Sequence, residues 1–238
     1  MGMLDCQDRY AVLMIKKLAY ALASTALAIT PLLTAAPAQA APPQVISLAE
    51  GISALPLAAE ARDGYQRTSF KHWVDADHNT CDTREEVLVA ESRTPAEIGT
   101  GCKVLSGSWF SYYDGVTVTA PGGLDIDHMV PLAEAWDSGA SQWNAARRQA
   151  YANDLGAERS LVAVTAKTNR SKSDQDPAEW LPPLADARCT YLSDWVSTKL
   201  RWGLTVDRSE QDALLKLAEG CGYAEVEFEP APEASAGQ

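Results

Sequence analysis

Positive charge is scarce in this 238-residue chain: 20 Lys and Arg stand against 32 Asp and Glu, for a formal net charge of −12. That balance excludes a nucleic-acid binder that works through bulk positive charge, so any polyanion must be met by a local patch or through metal ions. Histidine is scarcer still, with three residues, so few side chains can serve as a base at neutral pH. None of the five cysteines forms a Cys-x-x-Cys pair, which argues against a four-cysteine zinc site. Internal repeats are absent, which argues against a repeat architecture. What is present is ordinary globular composition, 46% hydrophobic and 22% charged.

From Met14 the chain carries the parts of a secretory signal. Lys16 and Lys17 form a basic start, Leu18 to Leu33 is apolar, and Ala38-Gln39-Ala40 is a small-x-small cleavage site. Pro31 and the short apolar core argue against a membrane span, which needs about 20 apolar residues. The expectation is a secreted, extracellular protein cleaved near Ala40, with no membrane attachment in the mature form; a retained N-terminal anchor is the alternative. Cys6 lies ahead of the apolar run and is no lipid-attachment site. Loss of residues 1–40 removes three basic and two acidic side chains and leaves a charge of −13. Four cysteines remain, and an even number in an exported protein predicts two disulfides. Cys81–Cys102 and Cys189–Cys221 each close a short local loop, worth about 3 kcal/mol apiece on the loop-entropy model.

Residues 41–62 are Ala- and Pro-rich and read as a loose lead-in with one short helix. Residues 63–222 carry the folded domain, and residues 223–238 read as an acidic, disordered tail. Within the domain, Tyr65 to Val89 suits one or two short helices. Lys103 to Thr119 alternates and breaks at Asp114-Gly115, a two-residue hairpin signal. Leu124 to Val130 is a strand stopped by Pro131, and Leu161 to Val164 is a second. Helices are expected around Trp143–Tyr151 with Ser141 as N-cap, from about Asn169, from Asp176, over Tyr191–Trp202 ending at Gly203, and over Ser209–Leu217.

One histidine stands out. Asp125-Ile126-Asp127-His128-Met129-Val130-Pro131 sets two carboxylates and an imidazole at the end of a strand, and Thr168-Asn169-Arg170-Ser171-Lys172-Ser173-Asp174 follows the second strand. Phosphodiester hydrolysis uses this inventory. An oxygen ligand holds a divalent cation against the leaving oxygen, a neutral imidazole takes a proton from water, and cations seat the phosphate.

These two segments closely resemble the HNH (ββα-metal) nucleases, including the HNH domain of RNA-guided CRISPR nucleases. The wider chain resembles secreted bacterial HNH proteins akin to the C-terminal domain of GmrSD-type restriction enzymes. The resemblance runs through C-D-T-R-E-E-V-L, V-L-S-G-S-W, D-I-D-H-M-V-P-L-A-E-A-W-D-S-G-A, Y-A-N-D-L and N-R-S-K-S-D-Q-D-P-A-E-W-L-P-P, from about Tyr65 to Cys221. It implies an α+β fold with an HNH core, decorated by helices and a hairpin. The activity it implies is metal-dependent endonuclease cleavage of nucleic acid, DNA before RNA, with Mg²⁺ or Mn²⁺ as cofactor.

Carried onto this sequence, the resemblance makes His128 the general base and Asp127 and Asn169 the metal ligands. Arg84, Arg170 and Lys172 become phosphate contacts, and Asp125 supports the site from behind. The Asn that orients the histidine in the family falls at Ser160 here, so Ser160, a backbone carbonyl or Asn153 is left to hold the imidazole. Because side chains alternate along a strand, Asp127 and His128 can face one phosphate only if the strand ends or bulges at the dyad.

Plainer roles compete at several positions. Asn169 could be only a helix N-cap, Arg170 and Lys172 solvated helix charges, and Arg84 a structural ion-pair partner. Asp75-x-Asp77-x-Asn79-x-Cys81-x-Thr83-x-x-Glu86 echoes a calcium loop but has Thr80 where such loops need glycine, and reads first as a polar loop stapled by Cys81. For the whole chain, the competing function is that of an exported, non-enzymatic binding protein that keeps the HNH fold.

Overall fold

The computed structural model describes residues 42–232; the signal segment, its cleavage site and residues 233–238 of the expected tail lie outside them. The chain opens with β1 (Gln44–Ser47) and α1 (Leu48–Ala54). A capping box starts α1: Ser47 Oγ accepts from the Glu50 backbone N–H, and the Glu50 carboxylate accepts from the Ser47 N–H at 3.0 Å. Then come α2 (Thr83–Glu91), the short pair β2 (Glu97–Ile98) and β3 (Val104–Ser106), and the pair β4 (Trp109–Ser111) and β5 (Val116–Val118). The last pair is the hairpin expected at Asp114-Gly115, where Gly115 takes a left-handed φ of 72°.

The next segment builds the candidate site. β6 (Leu124–His128) leads into α3 (Leu132–Asp137) and α4 (Ala145–Ala152). β7 (Leu161–Thr165) then returns antiparallel to β6, with Asp127 opposite Val162 and His128 opposite Leu161. α5 (Ala166–Lys172) follows β7 without a loop and packs against both strands. Alternation sends Leu124, Ile126, Leu161 and Ala163 to a small core with Val87, Leu88 and Trp109. Val162 and Val164 face the larger core with Met129, Tyr191 and Trp195. Both faces are covered, which is why residues 161–164 form an unbroken apolar run.

α6 (Arg188–Trp202) ends at Gly203 (φ 65°), α7 (Arg208–Ala218) follows, and β8 (Glu225–Phe228) closes the chain. β8 pairs antiparallel with β1. Residues 42–54 are therefore no loose lead-in, and residues 225–228 are no disordered tail. In Glu225-Val226-Glu227-Phe228 the alternation buries Val226 completely and exposes both glutamates, a strand pattern that the acidic composition had masked. The folded unit extends past 63–222 at both ends.

Three helix starts differ from expectation. Asn144, whose Oδ1 accepts from Arg147 N at 2.8 Å, caps α4, while Ser141 sits in a preceding 3₁₀ turn. α5 begins at Ala166, so Asn169 lies inside the helix and is not its cap. Asp176 caps a single turn by accepting from the N–H of Ala178 and Glu179, and no longer helix forms before Pro182-Pro183. The disulfides pair as expected, Cys81 with Cys102 and Cys189 with Cys221. Among the described residues no helix is long and apolar enough to cross a membrane.

Candidate functional site

β6 reaches His128 in unbroken register and ends there, without a bulge. Asp127 and His128 leave opposite faces of the strand, yet the strand stops at the dyad, so both line one open cleft of about 410 Å³. Asn169 and Arg170 from α5 line the same cleft, as do Tyr65 and Arg67. Four of the residues expected at the site are thus brought together.

The imidazole of His128 is almost wholly buried, with Tyr151 stacked at 6.5 Å and Trp73 tilted over it at 5.6 Å. Its Nε2 lies 3.0 Å from the carbonyl oxygen of Ala152. A carbonyl only accepts, so Nε2 carries the hydrogen and the lone pair of the neutral ring falls on Nδ1. Burial, joined by the positive charges of Arg67 and Lys172, pushes the pKa down to about 3 against the pull of the Ala152 carbonyl. The ring is therefore neutral at pH 7.

The group that holds the imidazole is a backbone carbonyl, and neither side-chain candidate reaches it. Ser160 donates its hydroxyl to Asp154. Asn153 accepts from Val74 N and Thr83 Oγ1 and donates to the Lys71 carbonyl, which fastens the 71–74 segment carrying His72 and Trp73. Asn153 thus shapes the wall of the histidine pocket from outside it.

Asp127 is buried on the other face. Its Oδ2 accepts from Tyr113 O–H at 2.6 Å and from Lys172 Nζ at 2.5 Å. Among the described residues its Oδ1 accepts no hydrogen bond. Lys172 is fully buried and also donates to the carbonyls of His128 and Met129, at 3.0 and 2.8 Å. The expectation of a phosphate contact at Lys172 is corrected. α5 starts earlier than foreseen, and that phase turns Lys172, four residues past the buried Thr168, toward β6 rather than solvent. Burial raises the Asp127 carboxyl and lowers the Lys172 ammonium, and each partner pulls the other back.

Asp125 lies behind α5, where it accepts from Asn169 Nδ2 at 3.4 Å and from Arg170 Nε at 3.2 Å. The Asn169 amide nitrogen is thereby engaged, while Asn169 Oδ1 accepts no hydrogen bond among the described residues. Arg170 is three-quarters exposed. Arg84 is not at the cleft: its Nη2 donates to the carbonyls of Pro121 and Leu124, fixing α2 to the start of β6. The polar 75–86 loop is satisfied internally, with both Asp75 oxygens accepting from the N–H groups of Asn79 and Thr80.

Sequence reading missed Arg67, Tyr113 and Trp73. No spacing ties them to the dyad, since folding alone brings a 3₁₀ turn, the residue before the Asp114-Gly115 turn and a loop onto one strand end. Chemically, the cleft offers two unengaged side-chain oxygens, on Asp127 and Asn169, beside a neutral imidazole and two arginines. Hard oxygen donors of this kind suit Mg²⁺ or Mn²⁺.

Residues 75–217 match the family of GmrSD restriction endonucleases, C-terminal domain. An uncharacterized secreted protein of Arthroderma benhamiae is 42% identical over 200 residues, covering 82% of this chain and 95% of the relative. No solved structure matches the chain. β6, β7 and α5 fall inside the matched span, as do Asp127, His128, Asn169 and Arg170, and on this evidence the chain belongs to the family of the GmrSD restriction endonuclease C-terminal domain.

Proposed function

We propose that the protein is an exported HNH endonuclease that hydrolyses phosphodiester bonds with a divalent metal, Mg²⁺ or Mn²⁺, and acts on DNA in preference to RNA. Family membership supports nuclease chemistry, and the observation that carries the finer reading is the convergence of Asp127, His128, Asn169 and Arg170 on one cleft. In this reading β6, β7 and α5 are the ββα-metal core. Export after cleavage near Ala40 is supported by the two disulfides and by a relative described as secreted. A bacterial source is not part of the proposal, since that relative comes from Arthroderma benhamiae.

Asp127 Oδ1 and Asn169 Oδ1 would hold the cation, whose chemistry there is Lewis-acid stabilisation of the charge that builds on the leaving 3′-oxygen. His128 Nδ1 takes a proton from the attacking water, and the Ala152 carbonyl fixes the tautomer that leaves Nδ1 free. Arg67 and Arg170, on the cleft wall, seat the phosphate. Lys172 does not meet substrate; it fixes the Asp127 carboxylate and the end of β6.

One observation favours a second reading, an exported binding protein without chemistry. The Lys172 ammonium sits 2.5 Å from the proposed ligand carboxylate and lowers its appetite for a second cation. Purified mature protein incubated with supercoiled plasmid separates the two. Nicked or linear product with Mg²⁺ or Mn²⁺ and none in chelator is expected. Intact plasmid in both metals, with DNA bound, would establish the binding protein instead, and a parallel single-stranded RNA arm tests the preference.

A further inference from the structure

Beside the cleft, carboxylates from four distant parts of the chain converge around one small pocket. Glu60, Asp176 and Asp207 bring carboxylate oxygens within 4.8 Å of one another, and so do Glu60, Glu134 and Asp137. Glu60 belongs to both groups and is exposed, while Glu134, Asp137 and Asp176 are buried. Glu60, Glu134, Asp176 and Asp207, together with Arg62 and Asp174, line a cavity of about 160 Å³ between α3 and the start of α7, and Asp137 lies next to it, bridged to the lining by Arg62.

Crowded acids alone are common on surfaces, but two further facts apply here. Asp137 Oδ1 is sealed from solvent and has no hydrogen-bond partner, although its side chain is 1% exposed. Leaving a buried carboxylate oxygen unsatisfied forfeits its hydration with nothing in return, so native folds rarely do so without a partner. The local cations are also already engaged. Arg62 bridges Asp137 and Asp174 at 2.6 Å each, and Lys199 sits between Glu134 and Glu210. Neither Glu60 nor Asp176 has a salt-bridge partner among the described residues. Burial and the four neighbouring carboxylates push Glu60 up to about 7, a mark of negative charge left uncompensated.

We propose that Glu60, Glu134 and Asp137, flanked by Asp176 and Asp207, form a structural site for a hard divalent cation of the Ca²⁺ class. All donors are oxygens, which excludes soft metals. They come from scattered backbone positions at irregular spacing, which suits the six to eight loosely arranged ligands of Ca²⁺ better than the strict octahedron of Mg²⁺. A cation there clasps the 60–62 segment to α3 and to the start of α7. It also sits one arginine away from Asp174, which lines the candidate active cleft. The site shares no ligand with Asp127 or Asn169, so it stands whether or not that cleft cuts nucleic acid.

The test is thermal unfolding and calorimetric titration of the chelator-stripped mature protein with Ca²⁺ alone. A saturable event with a dissociation constant in the millimolar range or tighter is expected, with Tm raised by about 5 °C or more at saturation. Because Glu60 is exposed, Glu60→Gln should fold normally in chelator and weaken Ca²⁺ binding at least tenfold. Asn169→Ala in the cleft and Asp77→Asn in the 75–86 loop should keep the full Tm response. The proposal is overturned if Ca²⁺ leaves Tm unchanged, if Glu60→Gln responds as the parent does, or if Asp77→Asn abolishes the response. A stability that follows pH alone, with no dependence on Ca²⁺, would show that the orphaned oxygen is satisfied by a shared proton.

Discussion

Among the described residues two lysines lie fully buried, and they are held differently. Lys199, on α6, donates to Glu134, Glu210, the Ser138 hydroxyl and the Thr205 carbonyl, at 2.6 to 3.0 Å. Lys172, on α5, meets one carboxylate, Asp127, and two carbonyls. Burial lowers both ammonium pKa values, but two carboxylates more than restore Lys199 while one does not restore Lys172. The Lys199 hub is closed, with its ammonium surrounded and water excluded. Around Lys172 the polar set is left open, since half of the Asp127 carboxylate remains free beside the cleft. A fully satisfied buried network rigidifies a core, whereas a partly satisfied one keeps an unused donor atom available for chemistry.

Removing the lysines breaks that contrast most forcefully. Lys199→Met leaves Glu134 and Glu210 buried face to face without a cation, and should destabilise the fold by about 3–5 kcal/mol, the usual cost of breaking a buried pair. Lys172→Met leaves a single acid still held by Tyr113 O–H, so its loss should fall at the lower end of that range. Denaturant unfolding of both variants checks the order. At a temperature where both remain folded, only Lys172→Met should lose cleavage rate per folded molecule, because only Lys172 fixes the Asp127 carboxylate.

A smaller effect comes from buried acids that have no lysine. Glu91, whose carboxylate accepts from Ala163 N at 3.0 Å, and Asp194, which accepts from Tyr112 O–H, are pushed by burial to a pKa of about 7. In the unfolded chain they titrate near 4, so between pH 4 and 7 the folded protein holds more protons. Their contribution is complete below pH 4, declines as pH rises to about 7, and is lost above it. Thermal unfolding should give a higher Tm at pH 5 than at pH 7.5. Glu91→Gln should flatten that difference; a steeper one would show that other groups govern it.

The same contrast explains what was legible in the sequence. The dyad at the end of β6, the strand Leu161–Val164, the Asp114-Gly115 hairpin and both disulfides rest on local signals: adjacent residues, an apolar run, a turn pair and short loops. Lys172 reads as a phosphate contact in the sequence because its true role depends on the phase of α5, set where that helix starts. Thr165, a residue type favoured at N-caps, marks that start, but one threonine is a weak signal, and its hydroxyl is engaged by Asp114 and Thr168 in place of a cap bond. A backbone carbonyl is among the groups the sequence leaves to hold the imidazole, but that it is the one of Ala152 could not be read, since a backbone atom leaves no mark in side-chain identity. β8 was hidden for another reason: its alternation is only four residues long and sits in a stretch whose acidity and prolines suggest disorder.

The central claim is that the open half of this contrast performs hydrolysis, with His128 as base and Asp127 and Asn169 as cation ligands. The most direct measurement is the plasmid cleavage rate of the His128→Ala and Asn169→Ala variants across a titration of Mg²⁺ or Mn²⁺. His128→Ala should lose about 10²- to 10⁴-fold at every metal concentration, because among the described residues no other imidazole lines the cleft. Asn169→Ala should also be slow at low metal and recover part of its rate as metal rises. Full activity in His128→Ala, or identical metal responses in the two variants, would contradict the account.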